Sequence, residues 1–79
     1  MKKIIIINGP NLNLLGNREQ NIYGYKSLDQ IKSDSLSKSS ELNLECKFFQ
    51  SNNEGDLINY IHLAQNEFDG LIINPAAFT

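Results

Sequence analysis

Residues 4–16 read IIIINGPNLNLLG, and the four isoleucines that open this stretch decide the fold. β-Branched side chains pack well on a pleated sheet and are restricted in helices, so the run predicts a β-strand. Polar and apolar residues do not alternate in it, which is typical of a strand covered on both faces in a parallel sheet. The run follows Lys2 and Lys3 but is far too short for a signal-peptide core or a membrane span. We therefore predict a central strand of an α/β fold.

A helix is predicted next, from Leu28 to Leu42. Ser27 and Gln30 fit a capping box, in which each side chain bonds a free backbone N–H at the helix start. The interior of the segment is rich in Ser and has weak helix propensity, so tertiary packing has to stabilise it. The apolar residues expected to supply that packing are Leu28, Ile31 and Leu36.

Residues 44–50 are predicted to form a second strand because their polarity alternates with a period of two. One face carries Leu44, Cys46 and Phe48, and the other carries Glu45 and Lys47. A strand with one polar face is expected nearer the edge of the sheet than the isoleucine strand.

A second helix follows the polar stretch 51–53, which can supply its N-cap. Glu54 and Asp56 would then lie in the first turn, where acidic groups complement the positive end of the helix dipole. The predicted apolar stripe of this helix consists of Leu57, Ile58, Ile61 and Ala64.

The apolar run Leu71–Ile73 predicts a third strand, which Asn74 and Pro75 end. The order βαβαβ predicts a flavodoxin-like parallel sheet with helices on both faces and the first strand central. Residues 1–79 contain no composition shift that suggests a linker, so we interpret them as a single domain. Because the third strand has no covering helix after it, we expect the N-terminal part of an incomplete domain that folds poorly alone.

Charge and cysteine content exclude several classes of function. The net charge is −2 and the basic residues are scattered, so neither nucleic acid nor an acidic membrane is an expected partner. A single cysteine, Cys46, excludes a disulfide framework within the chain and a multi-cysteine metal site. It also fits a reducing compartment, and we predict a cytoplasmic protein.

Polar residues follow all three predicted strands at the point where each strand ends. They are Asn8 and Asn11, then Gln50, Ser51 and Asn52, then Asn74. Carboxyl ends of parallel strands share one edge, where open α/β sheets bind ligands, so these groups should converge on a small polar-ligand site. The alternative is that each is an ordinary turn residue. Nucleotide binding is a minor alternative, because neither GxGxxG nor GxxxxGK[ST] is present.

The long predicted loop of about 17 residues after the first strand is either a functional lid or disordered. It holds Arg18 close in sequence to Tyr23. A tyrosine titrates near pH 10, and a cation at about 4 Å contributes about 4 kcal/mol at an effective dielectric near 20, enough to make a base near neutral pH. The alternative is a surface ion pair of Arg18 with Glu19 beside a packed tyrosine.

Three runs of the sequence resemble the type II 3-dehydroquinate dehydratases. They are INGPNLNLLGNREQNIYG at 7–24, FQSNNEGDLINYIH at 49–62 and IINPAAFT at 72–79. The resemblance implies a flavodoxin-like fold, trimers assembled into a dodecamer, and reversible dehydration of 3-dehydroquinate to 3-dehydroshikimate in the shikimate pathway. It implies no cofactor and no metal.

The resemblance also implies roles for four residues. Tyr23 matches the catalytic base, which removes a C2 proton to give an enolate, and Arg18 matches the residue that lowers the pKa of that tyrosine. Asn11 matches the residue that holds a water against the enolate oxygen. Asn74 matches a substrate-binding residue.

The chain departs from the family pattern at Gln20, where Pro is common, and at Asn53, where His is common. The family's histidine general acid and a substrate-binding arginine would follow Thr79. His62 lies within an amphipathic helical pattern and is interpreted as a surface histidine. We therefore expect the 79 residues alone to be inactive. The competing hypothesis is a noncatalytic flavodoxin-like module that binds a small polar ligand or nucleotide.

Overall fold

The computed structural model describes residues 1–12 and 26–76. The elements are β1 (Lys2–Asn8), α1 (Leu28–Glu41), β2 (Leu44–Gln50), α2 (Glu54–Glu67) and β3 (Gly70–Asn74). β1 pairs in parallel with both other strands, in the order β2-β1-β3. The predicted βαβαβ order, the central first strand and the edge position of β2 are all confirmed.

One face of the sheet forms the core with α2. Ile5 and Ile7 are 0% exposed and pack with Leu57 and Ala64 of α2. At the rim of this cluster, the rings of Phe49 and Tyr60 stack with centroids 4.3 Å apart and an interplanar angle of 17°. Rings in such an arrangement add to the stabilisation that their buried area gives.

The opposite face of β1 is less well covered than the unbroken isoleucine run predicted. Ile4 and Ile6 are only half-buried. With Leu44 and Ile72 they line a groove beside α1, which approaches the sheet along β2. The expectation of full burial on both faces is therefore wrong for this face, because α1 packs mainly against β2 and leaves this side of β1 partly open.

Ser39, rather than the predicted leucine, is the buried residue of α1. Leu36 is 37% exposed, whereas Ser39 is 5% exposed and its hydroxyl donates to the Ser35 carbonyl at 2.8 Å. This bond within the helix satisfies the buried hydroxyl, as a polar group packed against a sheet requires. The prediction that Leu36 packs is wrong.

The N-terminus of α1 has half of the predicted capping box. The Ser27 hydroxyl accepts the Gln30 N–H at 3.1 Å, but the Gln30 side chain donates forward to Asp34 at 3.1 Å. The Lys26 ammonium also donates to Asp34, at 2.7 Å, and together these bonds lower the pKa of that carboxyl. The Gln30 side chain therefore bonds the Asp34 carboxylate, and this bond replaces the reciprocal bond that a capping box would make to the Ser27 N–H.

The polar stretch before α2 supplies its N-cap, as predicted. The Asn53 side chain accepts the Asp56 N–H at 3.1 Å, and the Ser51 hydroxyl donates to the Asp56 carboxylate at 3.0 Å. Ile58 is 45% exposed, so its assignment to the buried stripe of α2 is wrong. Leu57 and Ala64, two helical turns apart, do line the core.

The third strand carries exposed apolar residues. Ile72 is 55% exposed, and its neighbours Leu71 and Ile73 are also exposed. Neither helix that the structure describes is long and apolar enough to cross a membrane. The expectation of an uncovered third strand is confirmed for these residues.

The close approach of α1 to the sheet makes the size of Ser39 critical. We expect Ser39→Leu to lower the free energy of unfolding by about 1–3 kcal/mol, because the larger side chain overpacks the contact. Ser37→Leu makes the same change at an exposed position of the same helix. Urea unfolding followed by circular dichroism would measure both variants, and equal losses would contradict a close contact at Ser39.

Candidate functional site

The polar ends of the three strands lie side by side at one edge of the sheet. Asn8, the last residue of β1, pairs in register with Gln50 of β2 on one side and Asn74 of β3 on the other. Directly paired residues of parallel strands point to the same face. The structure therefore brings together residues separated by 24 to 66 positions of sequence, as the predicted edge required.

Asn8 joins β1 to β2 at this edge. It is buried, its side-chain amide donates to the Phe49 carbonyl at 3.2 Å, and its own carbonyl accepts the Ser51 N–H at 3.0 Å. Both polar ends of the residue are therefore bonded, which explains how an asparagine is tolerated at a buried position. Asn8 therefore links the ends of β1 and β2 at this edge.

Gly9 joins β1 to β3, and only glycine fits there. Its N–H donates to the Asn74 carbonyl at 2.8 Å. A Cβ at Gly9 would lie 2.3 Å from the Pro75 carbonyl oxygen and 2.7 Å from the carbonyl carbon. The sequence gives no local signal for this requirement, because the contact joins segments 66 residues apart.

Asn11, which was predicted to act in catalysis, lies at this edge with a left-handed backbone, φ 65°. Its N–H donates to the Asn52 side-chain oxygen at 2.8 Å. The residue itself is exposed. Its backbone is therefore held by the end of β2, while it remains accessible to a ligand.

Asn74, the predicted substrate-binding residue, is half-buried at the end of β3. Its side-chain oxygen accepts the Ala76 N–H at 3.3 Å. Ala76 also has a left-handed backbone, φ 53°, so the chain turns sharply directly after the strand. The pairing of β1 with β3 and the backbone bond from Gly9 place Asn74 beside Gly9.

The catalytic candidates Arg18 and Tyr23 lie outside the described residues, as do Glu19, Gln20 and Tyr25. His62 is exposed on α2, in agreement with its interpretation as a surface residue. Cys46 is half-buried on β2. Within residues 1–12 and 26–76, no group of three His, Cys, Asp or Glu side chains is arranged to hold a metal ion.

The geometry at this edge can be compared with that of known proteins. The family model described as Dehydroquinase class II matches residues 2–79. The chain belongs to this family.

A curated relative, the 3-dehydroquinate dehydratase of Caldicellulosiruptor saccharolyticus, is 55% identical over 80 residues, which cover 100% of this chain and 55% of the relative. Two solved structures are also similar. The type II dehydroquinase of Butyrivibrio crossotus has a TM-score of 0.92 and 44% identity, covering 99% of this chain and 55% of that protein. The type II dehydroquinase of Propionibacterium acnes has a TM-score of 0.91 and 36% identity, covering 99% and 54%.

These matches confirm the predicted family and fold. The three-stranded parallel sheet and its two helices superpose on the dehydroquinase fold over nearly the whole chain. The chain spans about 55% of the length of these relatives.

The fit of Gly9 against Pro75 predicts a specific sensitivity. Gly9→Ala should lower the free energy of unfolding by about 1–3 kcal/mol, because the new methyl group has to push rigid backbone aside. Gly70→Ala is the control, since its Cβ would meet only the Ile4 methyl group at 3.3 Å, a side-chain atom that can move. Urea unfolding of the two variants measures the free energy of unfolding. An unchanged value for Gly9→Ala would contradict the close approach of the segments that follow β1 and β3.

Proposed function

We propose that this chain carries the base side of an active site that dehydrates 3-dehydroquinate to 3-dehydroshikimate through an enolate. Membership of the class II dehydroquinase family over residues 2–79 is the observation that supports it most. A curated relative that matches the whole chain is named 3-dehydroquinate dehydratase. In this proposal, residues 1–79 form the N-terminal part of one flavodoxin-like domain.

The reaction divides among residues of the chain as follows. Tyr23 acts as the base that removes a proton from C2, and Arg18 lowers the pKa of Tyr23 by stabilising the tyrosinate. Asn11 holds a water against the enolate oxygen that forms, which is a preorganised electrostatic contribution. Asn74 binds the substrate. No cofactor or metal is needed, because a carbonyl next to C2 already accepts the electron pair.

The composition of the sheet edge supports a polyhydroxylated ligand. Asn11 and Asn74 lie at this edge, and an amide side chain can both donate and accept hydrogen bonds. The backbone turns at Asn11 and Ala76 fix two of the segments that border the edge. Such neutral groups suit hydroxyl and carbonyl oxygens.

The second half of the reaction needs an acid for the C1 hydroxyl. In the family pattern a histidine beyond Thr79 supplies it, and His62 is an exposed residue of α2 rather than part of the polar edge. The 79 residues alone are therefore proposed to be inactive. The complete enzyme is proposed to be a cytoplasmic homo-oligomer of trimers in a dodecamer, with neither nucleic acid nor a membrane as partner.

The competing function is a noncatalytic module that binds a small polar ligand or nucleotide. The neutral polar edge of the sheet would also suit a module that only binds its ligand. Arg18 and Tyr23 distinguish the two functions, because a binding module has no need of a base.

Replacement of the proposed base should abolish turnover. In the chain extended with the part of the C. saccharolyticus enzyme that its match does not cover, Tyr23→Phe should lower kcat by about 10²–10⁴-fold, since the general base is lost. Tyr25→Phe, a matched change two residues away, should be much milder. The measurement is the enone absorbance of 3-dehydroshikimate, and near-normal turnover by Tyr23→Phe would exclude Tyr23 as the base.

The chain of 79 residues should show no significant dehydration of 3-dehydroquinate, in contrast to the extended protein. It lacks the proposed acid, and the exposed β3 gives the site no opposing wall. The same absorbance assay at equal protein concentration compares the two. Comparable activity would show that residues 1–79 already contain every essential group.

A further inference from the structure

One side-chain oxygen at the polar edge has two donors. Asn52 Oδ1 accepts the backbone N–H of Asn11 at 2.8 Å and Nε2 of Gln50 at 3.1 Å. Nε2 of Gln50 also donates to the Gly9 carbonyl at 3.1 Å. Two side chains from the end of β2 therefore hold both a carbonyl and an N–H of the segment that carries Asn11.

The backbone of Asn11 needs such support. Its φ of 65° is a left-handed conformation, which is strained for most L-residues, although asparagine tolerates it better than most. Conformations of this kind persist where surrounding contacts fix them. The bond from Asn52 is one such contact, and it comes from a residue 41 positions away.

The orientation of the amide groups follows from the backbone. The Asn11 N–H can only donate, so the atom of Asn52 that faces it must be the oxygen. That oxygen then requires a donor from Gln50, and the Gly9 carbonyl requires the same. Only one arrangement of the two side chains satisfies all three contacts.

We propose that Asn52, oriented by Gln50, is a positioning residue for Asn11. By accepting the Asn11 N–H it holds the backbone geometry from which the Asn11 side chain reaches the ligand, and thereby the water that Asn11 is proposed to hold. Asn52 does not itself contact the reacting atoms. The role requires a hydrogen-bond acceptor at this position and does not depend on its charge. Only the predicted effect of Asn52 on catalysis rests on the proposed function; its contact with Asn11 does not.

Replacement of Asn52 can test this without disturbing the core, because the residue is exposed. Asn52→Leu removes the acceptor at similar size, whereas Asn52→Asp keeps an oxygen that both donors can bond. Asn59→Leu repeats the first change on the exposed surface of α2. The variants are made in the chain extended with the remaining part of the C. saccharolyticus enzyme.

We expect Asn52→Leu to lower kcat by about 10- to 100-fold while KM changes by less than about threefold, because the misplaced group acts on the enolate. Asn52→Asp should recover kcat to within about threefold, and Asn59→Leu should match the parent. An unchanged kcat in Asn52→Leu, or equal losses in the Leu and Asp variants, would overturn the positioning role.

Hydrogen exchange of the Asn11 amide tests the contact independently of turnover. It should be about 2- to 10-fold faster in Asn52→Leu than in the parent and unchanged in Asn52→Asp, since a net hydrogen bond is lost only in the first. Mass spectrometry resolved to single residues can follow it in the same proteins. Unchanged exchange in Asn52→Leu overturns the inference. If the parent protein is inactive but Asn52→Leu still speeds exchange of the Asn11 amide, the result counts against the proposed function and not against this inference.

Discussion

The register of β1 between its two neighbours is the constraint on which the rest of the structure depends. Backbone hydrogen bonds set Asn8 level with Gln50 on one side and with Asn74 on the other. Side chains in a strand alternate between faces, so a shift of one residue would turn Ile5 and Ile7 out of the core and redistribute the polar strand ends. The hydrophobic burial that fixes the core is thus the same interaction that aligns the candidate site.

The two faces of the sheet are stabilised in different ways. On the α2 side, large apolar side chains form a closed cluster around Ile5 and Ile7. On the other side, α1 approaches through Ser39, and Ile4, Ile6 and Ile72 remain partly exposed along a groove. Burial of apolar surface contributes roughly 25 cal/mol per Å², so the closed face provides most of the hydrophobic stabilisation. The position of the polar edge depends mainly on that face, because β1 contributes side chains to both.

The edge itself is organised by hydrogen bonds between neutral amides. Gly9 accepts a bond from Gln50 and donates one to Asn74, so it is held from both neighbouring strands. Asn52 then holds Asn11 in its left-handed conformation. Groups that are already bonded in a fixed arrangement do not have to reorganise when charge develops on a ligand, which is the physical basis of electrostatic preorganisation. The absence of a Cβ at Gly9 allows the two strand ends to approach closely enough for this arrangement.

The sequence by itself determined the element order, the parallel sheet with β1 central, the N-cap residue of α1, the polar stretch that caps α2 and the convergence of polar residues at one edge. These follow from local patterns: β-branched runs, periods of two and 3.6, and capping side chains. Tertiary structure alone decided that Ser39 rather than Leu36 faces the sheet, that one side of β1 is only half covered, and that Gly9 meets Pro75. It also decided that Asn52 is the acceptor for the Asn11 N–H. Each of these depends on distances between segments far apart in sequence, and such distances are set only when the helices and strands pack together.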